Sequence, residues 1–154
     1  MCSPPSPVAD TDLTDLLGRL SPERRPGSYV FVTVAGPPAA TLDPVMVFTE
    51  DEGTTLILAT PEADAAGLRY TLVTAWITLT VHSALDAVGL TAAVSGALAE
   101  VGISCNVVAG AFHDHLFVPL ASADDAVRVL TELSDRSQVC DPSRASGSVR
   151  DEGE

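Results

Sequence analysis

The chain contains no lysine: its eight basic residues are all arginines, set against 21 acids for a net charge of −13. A surface that tracks phosphate needs clustered positive charge, so nucleic acid is not an expected partner. Cysteine is scarce. Its three copies, at positions 2, 105 and 140, lack the spacing of a zinc ribbon and give no disulfide framework. No stretch reaches the length of about eighteen uncharged apolar residues that a membrane span requires, so no membrane partner is expected. The opening "MCSPPSPVADTD" has neither the basic end nor the apolar run of a secretory signal, which predicts a cytoplasmic location.

What remains is a chain able to fold, with 46% hydrophobic and 19% charged residues. Positions 1–10 and 135–154 are rich in Ser, Pro, Asp, Glu and Gly and read as disordered tails, leaving a folded region over 11–134. "TDLTDLLGRL" places Leu13, Leu16, Leu17 and Leu20 on one helical face. "SYVFVTV" is a strand, and "PVMVFTEDEGTTLILAT" is a hairpin turning near Glu52-Gly53. "PEADAAGL" is a short helix opened by Pro61 and stopped by Gly67. "RYTLVTAWITLTVHS" is a long strand that bends between sheets. "GLTAAVSGALAEVG" is a helix with Leu90, Val94, Ala97, Leu98 and Val101 on its stripe and Gly102 as its stop. A hairpin through Gly110-Ala111 and a last helix capped at Ser122 complete the folded part. Helices alternating with retained hairpins predict an α+β fold, an antiparallel sheet with helices on one face.

"DAVGLTAAVSGALAEVGISCNVV" resembles the ACT domain, a small ligand-sensing module of ferredoxin-like βαββαβ fold. Asp86, Gly89 and Leu90 match the loop of that family, with Val88 where proline is common, and "ALAEVGIS" matches the end of its first helix. "YVFVTV", "LTVHSALDAVGLTA" and "GISCNVVAGAFHDHLFVP" carry a closer resemblance to uncharacterised bacterial proteins with two ACT-like halves. The resemblance implies tandem ferredoxin-like sheets, with an N-terminal half over 11–74 and a C-terminal ACT domain over 75–134. The first half departs from the pattern because its helix precedes its first strand. The second half ends after its second helix without a fourth strand, so the halves complete each other's sheets or a partner chain does.

Alternation across a two-residue turn at Gly110-Ala111 puts Cys105, Val107, Asp114, Leu116 and Val118 on the core face. Ser104, Asn106, Val108, His113, His115 and Phe117 fall on the other. Cys105 then reads as a buried hydrophobe and not a catalytic thiolate, and it forms no dyad with a histidine. His113 and His115 share a face at a spacing known for metal ligands, with His82 and Asp86 as further candidates, but ordinary hydrogen bonding explains the pair as well. Asp114 is a carboxylate on the face committed to the core, and needs the rim, a backbone donor or a ligand ammonium.

In the family, a small molecule lies between the loop and the second strand, often where two ACT units meet. Carried over, that site comprises Asp86, Val88, Gly89 and Leu90 from the loop and Ser104, Cys105 and Asn106 from the strand, with His113 and Asp114 near. The implied function is a non-catalytic regulatory protein that binds a small-molecule ligand, an amino acid, and assembles as a homodimer or larger oligomer. No cofactor, metal or catalytic residue is expected. The alternatives are a ligand-free oligomerisation module and a metal-dependent enzyme using His113 and His115.

Overall fold

The computed structural model describes residues 13–81 and 88–139. The leucine spacing forms α1 (Leu13–Gly18), which buries Leu16 and Leu17. A short strand, β1 (Pro22–Arg24), follows where the sequence shows only polar residues. β2 (Tyr29–Val34) alternates buried Val30 and Val32 with Tyr29 and Phe31 on its other face. β3 (Met46–Glu50) and β4 (Gly53–Ala59) form a hairpin whose turn is Asp51-Glu52, one residue earlier than expected. α2 (Thr60–Ala65) carries Pro61 in its first turn. It closes through Gly67 at φ 65, where the N–H groups of Gly67 and Leu68 bond the carbonyls of Asp64 and Ala63.

Next come β5 (Val73–Leu79), α3 (Leu90–Glu100), β6 (Asn106–Ala109), β7 (Asp114–Pro119) and α4 (Ala123–Val139). α4 continues beyond residue 134, where the tail composition begins. α3 ends as its glycine predicts: Gly102 sits at φ 74, and Ile103 N–H returns to the Leu98 carbonyl. That reversal drops Ile103 into the core and leaves Val101, expected on the buried stripe, 54% exposed.

Seven strands make one antiparallel sheet in the order β3-β4-β2-β5-β7-β6, with β1 also on β5. β2 pairs with β5 at two positions only, Tyr29↔Thr74 and Val30↔Val73. Beyond them β1 takes over the same edge of β5, from Arg24↔Ile77 to Pro22↔Leu79. The halves therefore complete each other's sheets. The start of β5 is the fourth strand beside β2, and β1 is the fourth strand of the C-terminal half. The helix preceding β1 belongs to the C-terminal half as well, because α1 packs with α3 and α4 over β5, β6 and β7. α2 covers β2 and β4 through Ala63, Val30, Val32, Leu56 and Leu58.

No described helix covers the opposite face of the sheet. There Tyr29 meets Trp76 edge-on at 5.2 Å, Phe31 meets Phe117 at 5.4 Å, and Trp76 stacks with Phe117 at 5.9 Å. These rings come from β2 on one side and β5 and β7 on the other. Where the backbone ladder between halves shrinks to two residue pairs, aromatic packing takes over the joint.

Candidate functional site

α3 begins behind Gly89, whose φ of 100 is a backbone conformation that side chains rarely tolerate. A Cβ built there would stand 2.9 Å from Leu13 Cδ2, so α1 rests directly on this corner and leaves no room for one. Among the described residues no side chain caps the helix. Its first backbone bond runs from Ala93 N–H to the Gly89 carbonyl at 2.9 Å, so the N–H groups of the turn before it have no intrahelical partner. Leu90 is buried beneath, and Val88 is 84% exposed beside the opening. Asp86, with all of residues 82–87, lies outside the described residues.

The hairpin of β6 and β7 carries the other expected residues. Its ladder runs Asn106↔Phe117, Val107↔Leu116, Val108↔His115 and Ala109↔Asp114, and Gly110 N–H donates to the His113 carbonyl at 2.9 Å. The turn is thus Gly110–His113, four residues and not two. A slip of two along a strand returns each side chain to its own face, so the in-and-out assignment survives the error in turn length. Cys105 packs against the helix core, and burial pushes its thiol up to about 11, so it stays protonated at neutral pH. His115 lies on the opposite face against Trp76. No thiol–imidazole pair forms between them. Ser104 and Asn106 are exposed, and Asp114 is half-buried at the first position of β7.

His113 and His115 are held by different partners. The His113 Nδ1–H donates to the Val81 carbonyl at 3.3 Å, just past the end of β5. His115 Nδ1 accepts from Trp76 Nε1–H at 3.1 Å and from the Thr78 hydroxyl at 3.2 Å. Arg25 Nε–H donates in turn to Thr78 Oγ1 at 3.1 Å, with its guanidinium 5.7 Å from the Trp76 ring centre. Two donors on one nitrogen fix the His115 proton on Nε2 and oppose a second one. Among the described residues no three His, Cys, Asp or Glu side chains gather as metal ligands.

Burial lowers the His115 pKa, His113 and Arg25 push it the same way, and Asp114 opposes them. The unfolded chain takes up this proton near the ordinary value of about 6.5, while the folded one resists it. The contribution to stability is therefore present above that value and lost as pH falls through the folded pKa. Denaturation midpoints are expected to drop on the acid side of 6.5 in the natural protein, with a shallower drop in His115→Gln. Equal slopes for the two would assign the titration to another group.

Among the described residues, the expected site falls into two groups along the chain. Gly89 and Leu90 stand at the amino end of α3, and Ser104, Cys105 and Asn106 follow its carboxyl end. Between them runs an eleven-residue helix, about 16 Å long. His113 belongs with the first group, through the Val81 carbonyl at the end of the strand that leads toward the loop. The aromatic–Arg25–His115 network was not foreseen as a unit, although the clustering of Tyr29, Phe31, Trp76 and Phe117 at alternate strand positions was a readable signal.

Two ferredoxin-like halves that share strands, with a glycine-led helix corner in the second, define a tandem ferredoxin-like protein. The chain belongs to the ACT-domain family: ACT-domain models match residues 9–75 and 72–132. A protein of unknown function from Vibrio cholerae, described as a possible transport protein, is 47% identical, covers 79% of this chain and 95% of its own, and superposes with a TM-score of 0.72. A protein from Agrobacterium tumefaciens shares the fold at 20% identity, over 75% of this chain and 90% of its own, with a TM-score of 0.61. The ligand-free regulatory subunit of aspartate kinase from Thermus thermophilus shares it at 9% identity, over 73% and 95%, with a TM-score of 0.55. No curated protein matches the chain. No described helix is long and apolar enough to cross a membrane.

Proposed function

We propose that this protein is a non-catalytic regulator that binds an amino acid at the amino end of α3. The first turn behind Gly89, uncapped among the described residues, carries this reading, because its N–H groups and partial positive charge suit a ligand carboxylate. The carboxylates of Asp114 and Asp86 are the candidates for the ligand ammonium. The fold shared with a regulatory subunit of aspartate kinase supports the regulatory role. Since Ser104–Asn106 stand at the far end of α3, the complete site pairs the α3 corner of one copy with the β6 strand of another. Ligand bound across that junction favours one arrangement of the two copies over others, and the shift in population is the output. His113 lies on the rim and positions the turn through its bond to Val81. Cys105 faces inward and contributes shape, not chemistry.

A thermal-shift screen of the standard amino acids tests this. One chemical class should raise the melting temperature with dependence on concentration, by about 2.7 kcal/mol of added stability at a hundredfold excess over Kd. Val88→Asp places a carboxylate beside the same N–H groups and should abolish the shift while leaving the unliganded melting temperature close to that of the natural protein. Gly89→Val is a poor probe, because both the positive φ and Leu13 oppose any side chain there. No shift with any amino acid would sink the reading.

A further inference from the structure

We infer that His115 is an acid-sensitive latch between the two halves. A proton on its Nδ1 frees Trp76 and parts β2 from β5 while each half stays folded. In the neutral ring that nitrogen accepts from Trp76 Nε1–H at 3.1 Å and from the Thr78 hydroxyl at 3.2 Å. Once protonated, the imidazolium donates at both nitrogens and accepts at neither. Thr78 Oγ1 adapts, because it has two lone pairs, one for Arg25 Nε–H and one for the new donor. The indole cannot adapt, since its N–H only donates. Trp76 therefore loses this bond and turns away from the ring that held it.

Trp76 is the ring whose release matters most to the joint. Half-buried on β5, it meets Tyr29 of β2 edge-on at 5.2 Å and stacks on Phe117 of β7 at 5.9 Å. Phe117 in turn meets Phe31 of β2 at 5.4 Å. Beneath these rings the backbone joins β2 to β5 at two residue pairs only. On the helix side nothing compensates: among the described residues the cores form two separate clusters, one under α2 and one under α1, α3 and α4. Each half thus keeps its own core when the aromatic contacts between them loosen.

The charges around His115 set when the latch opens. Arg25, just past β1, lies 5.7 Å from the Trp76 ring centre and bonds Thr78, and Glu23 on β1 pairs opposite Thr78. His113 and Asp114 precede His115 in its own hairpin, while β5 and β6 set Thr78 and Val108, neither of them titratable, against it. Burial, His113 and Arg25 hold the His115 proton off, and Asp114 draws it on. The balance keeps the latch shut at neutral pH and opens it below the ordinary imidazole value of about 6.5.

Nuclear magnetic resonance of the full chain, without added ligand, tests the inference over a titration from about pH 8 to about pH 4.5. As the His115 ring titrates, the single indole N–H resonance should move, Trp76 being the only tryptophan. Nuclear Overhauser contacts across the joint, Tyr29 to Trp76 and Phe31 to Phe117, should weaken severalfold over the same range. Contacts between β2 and β4 and between α3 and α4 should remain, and so should the far-ultraviolet circular dichroism. His115→Gln offers the indole an oxygen acceptor that does not titrate, and should keep the joint contacts throughout. His113→Gln should leave the transition in place. Joint contacts that survive His115 protonation in the natural protein overturn the inference. So does their loss at the same pH in His115→Gln, their survival in His113→Gln, or their loss only together with the circular dichroism. None of these results depends on whether an amino acid binds.

Discussion

Leu16→Ala is expected to lower the free energy of unfolding by about 3 kcal/mol, within the range of about 2–5 kcal/mol for a fully buried leucine. Leu16 has no exposed surface in the common core of α1, α3 and α4. A six-residue helix is too short to persist alone, so α1 exists because it is packed. Gln138 Nε2–H donates to the Gly18 carbonyl at 2.7 Å and ties its carboxyl end to α4, while Leu13 seats its first turn on Gly89. Loosening α1 loosens β1 behind it, and β1 supplies one side of the ladder on β5. The amide of Thr80, which donates to the Ser21 carbonyl at 3.0 Å, should therefore lose protection from hydrogen exchange early. Chemical denaturation measures the loss, and exchange locates it. A loss below about 1 kcal/mol would show that α1 is an appendage and not part of the core.

Phe117→Ala is expected to cost about 3–5 kcal/mol, although the residue lies on the face that no described helix covers. Its burial is made by other rings: Phe31 at 5.4 Å, Trp76 at 5.9 Å and Tyr29 at 6.3 Å. Trp76 is the only tryptophan, so its emission reports on the cavity directly and should move to longer wavelength as water enters. Phe117→Leu keeps most of the volume and should lose under about 1.5 kcal/mol. If the alanine variant is no worse than the leucine variant, the rings do not hold the halves together.

The parts of the fold that were legible in the sequence were those with a repeating pattern. The α3 stripe of Leu90, Val94 and Leu98, the Gly102 stop, and the alternation in β2 and β7 each state their own geometry. β1 did not, because Pro22, Glu23 and Arg24 have no apolar face; they are a strand only because β5 offers an unpaired edge. The hairpin length at Gly110 was misjudged for a related reason: its loop residues form a turn of two or four equally well in sequence, and the pairing of Leu79 with Asp114 decides. The candidate site was legible only in its local pieces. Gly89 and Leu90 carry a recognisable pattern, whereas the separation of Gly89 from Ser104 depends on which end of α3 each occupies. The Arg25–Thr78–His115 relay joins three segments distant in the chain, and no local pattern encodes it.

The shared strands also bear on how the molecule comes into being. Pro22–Arg24 leaves the ribosome long before Ile77–Leu79 exists to pair with it, and Gly18 must wait 120 residues for Gln138. Such long-range contacts fold slowly, and early segments stay exposed until late ones arrive. The first third of the chain thus cannot settle as it emerges; the natural protein should become protease-resistant only after its last helix has cleared the exit tunnel.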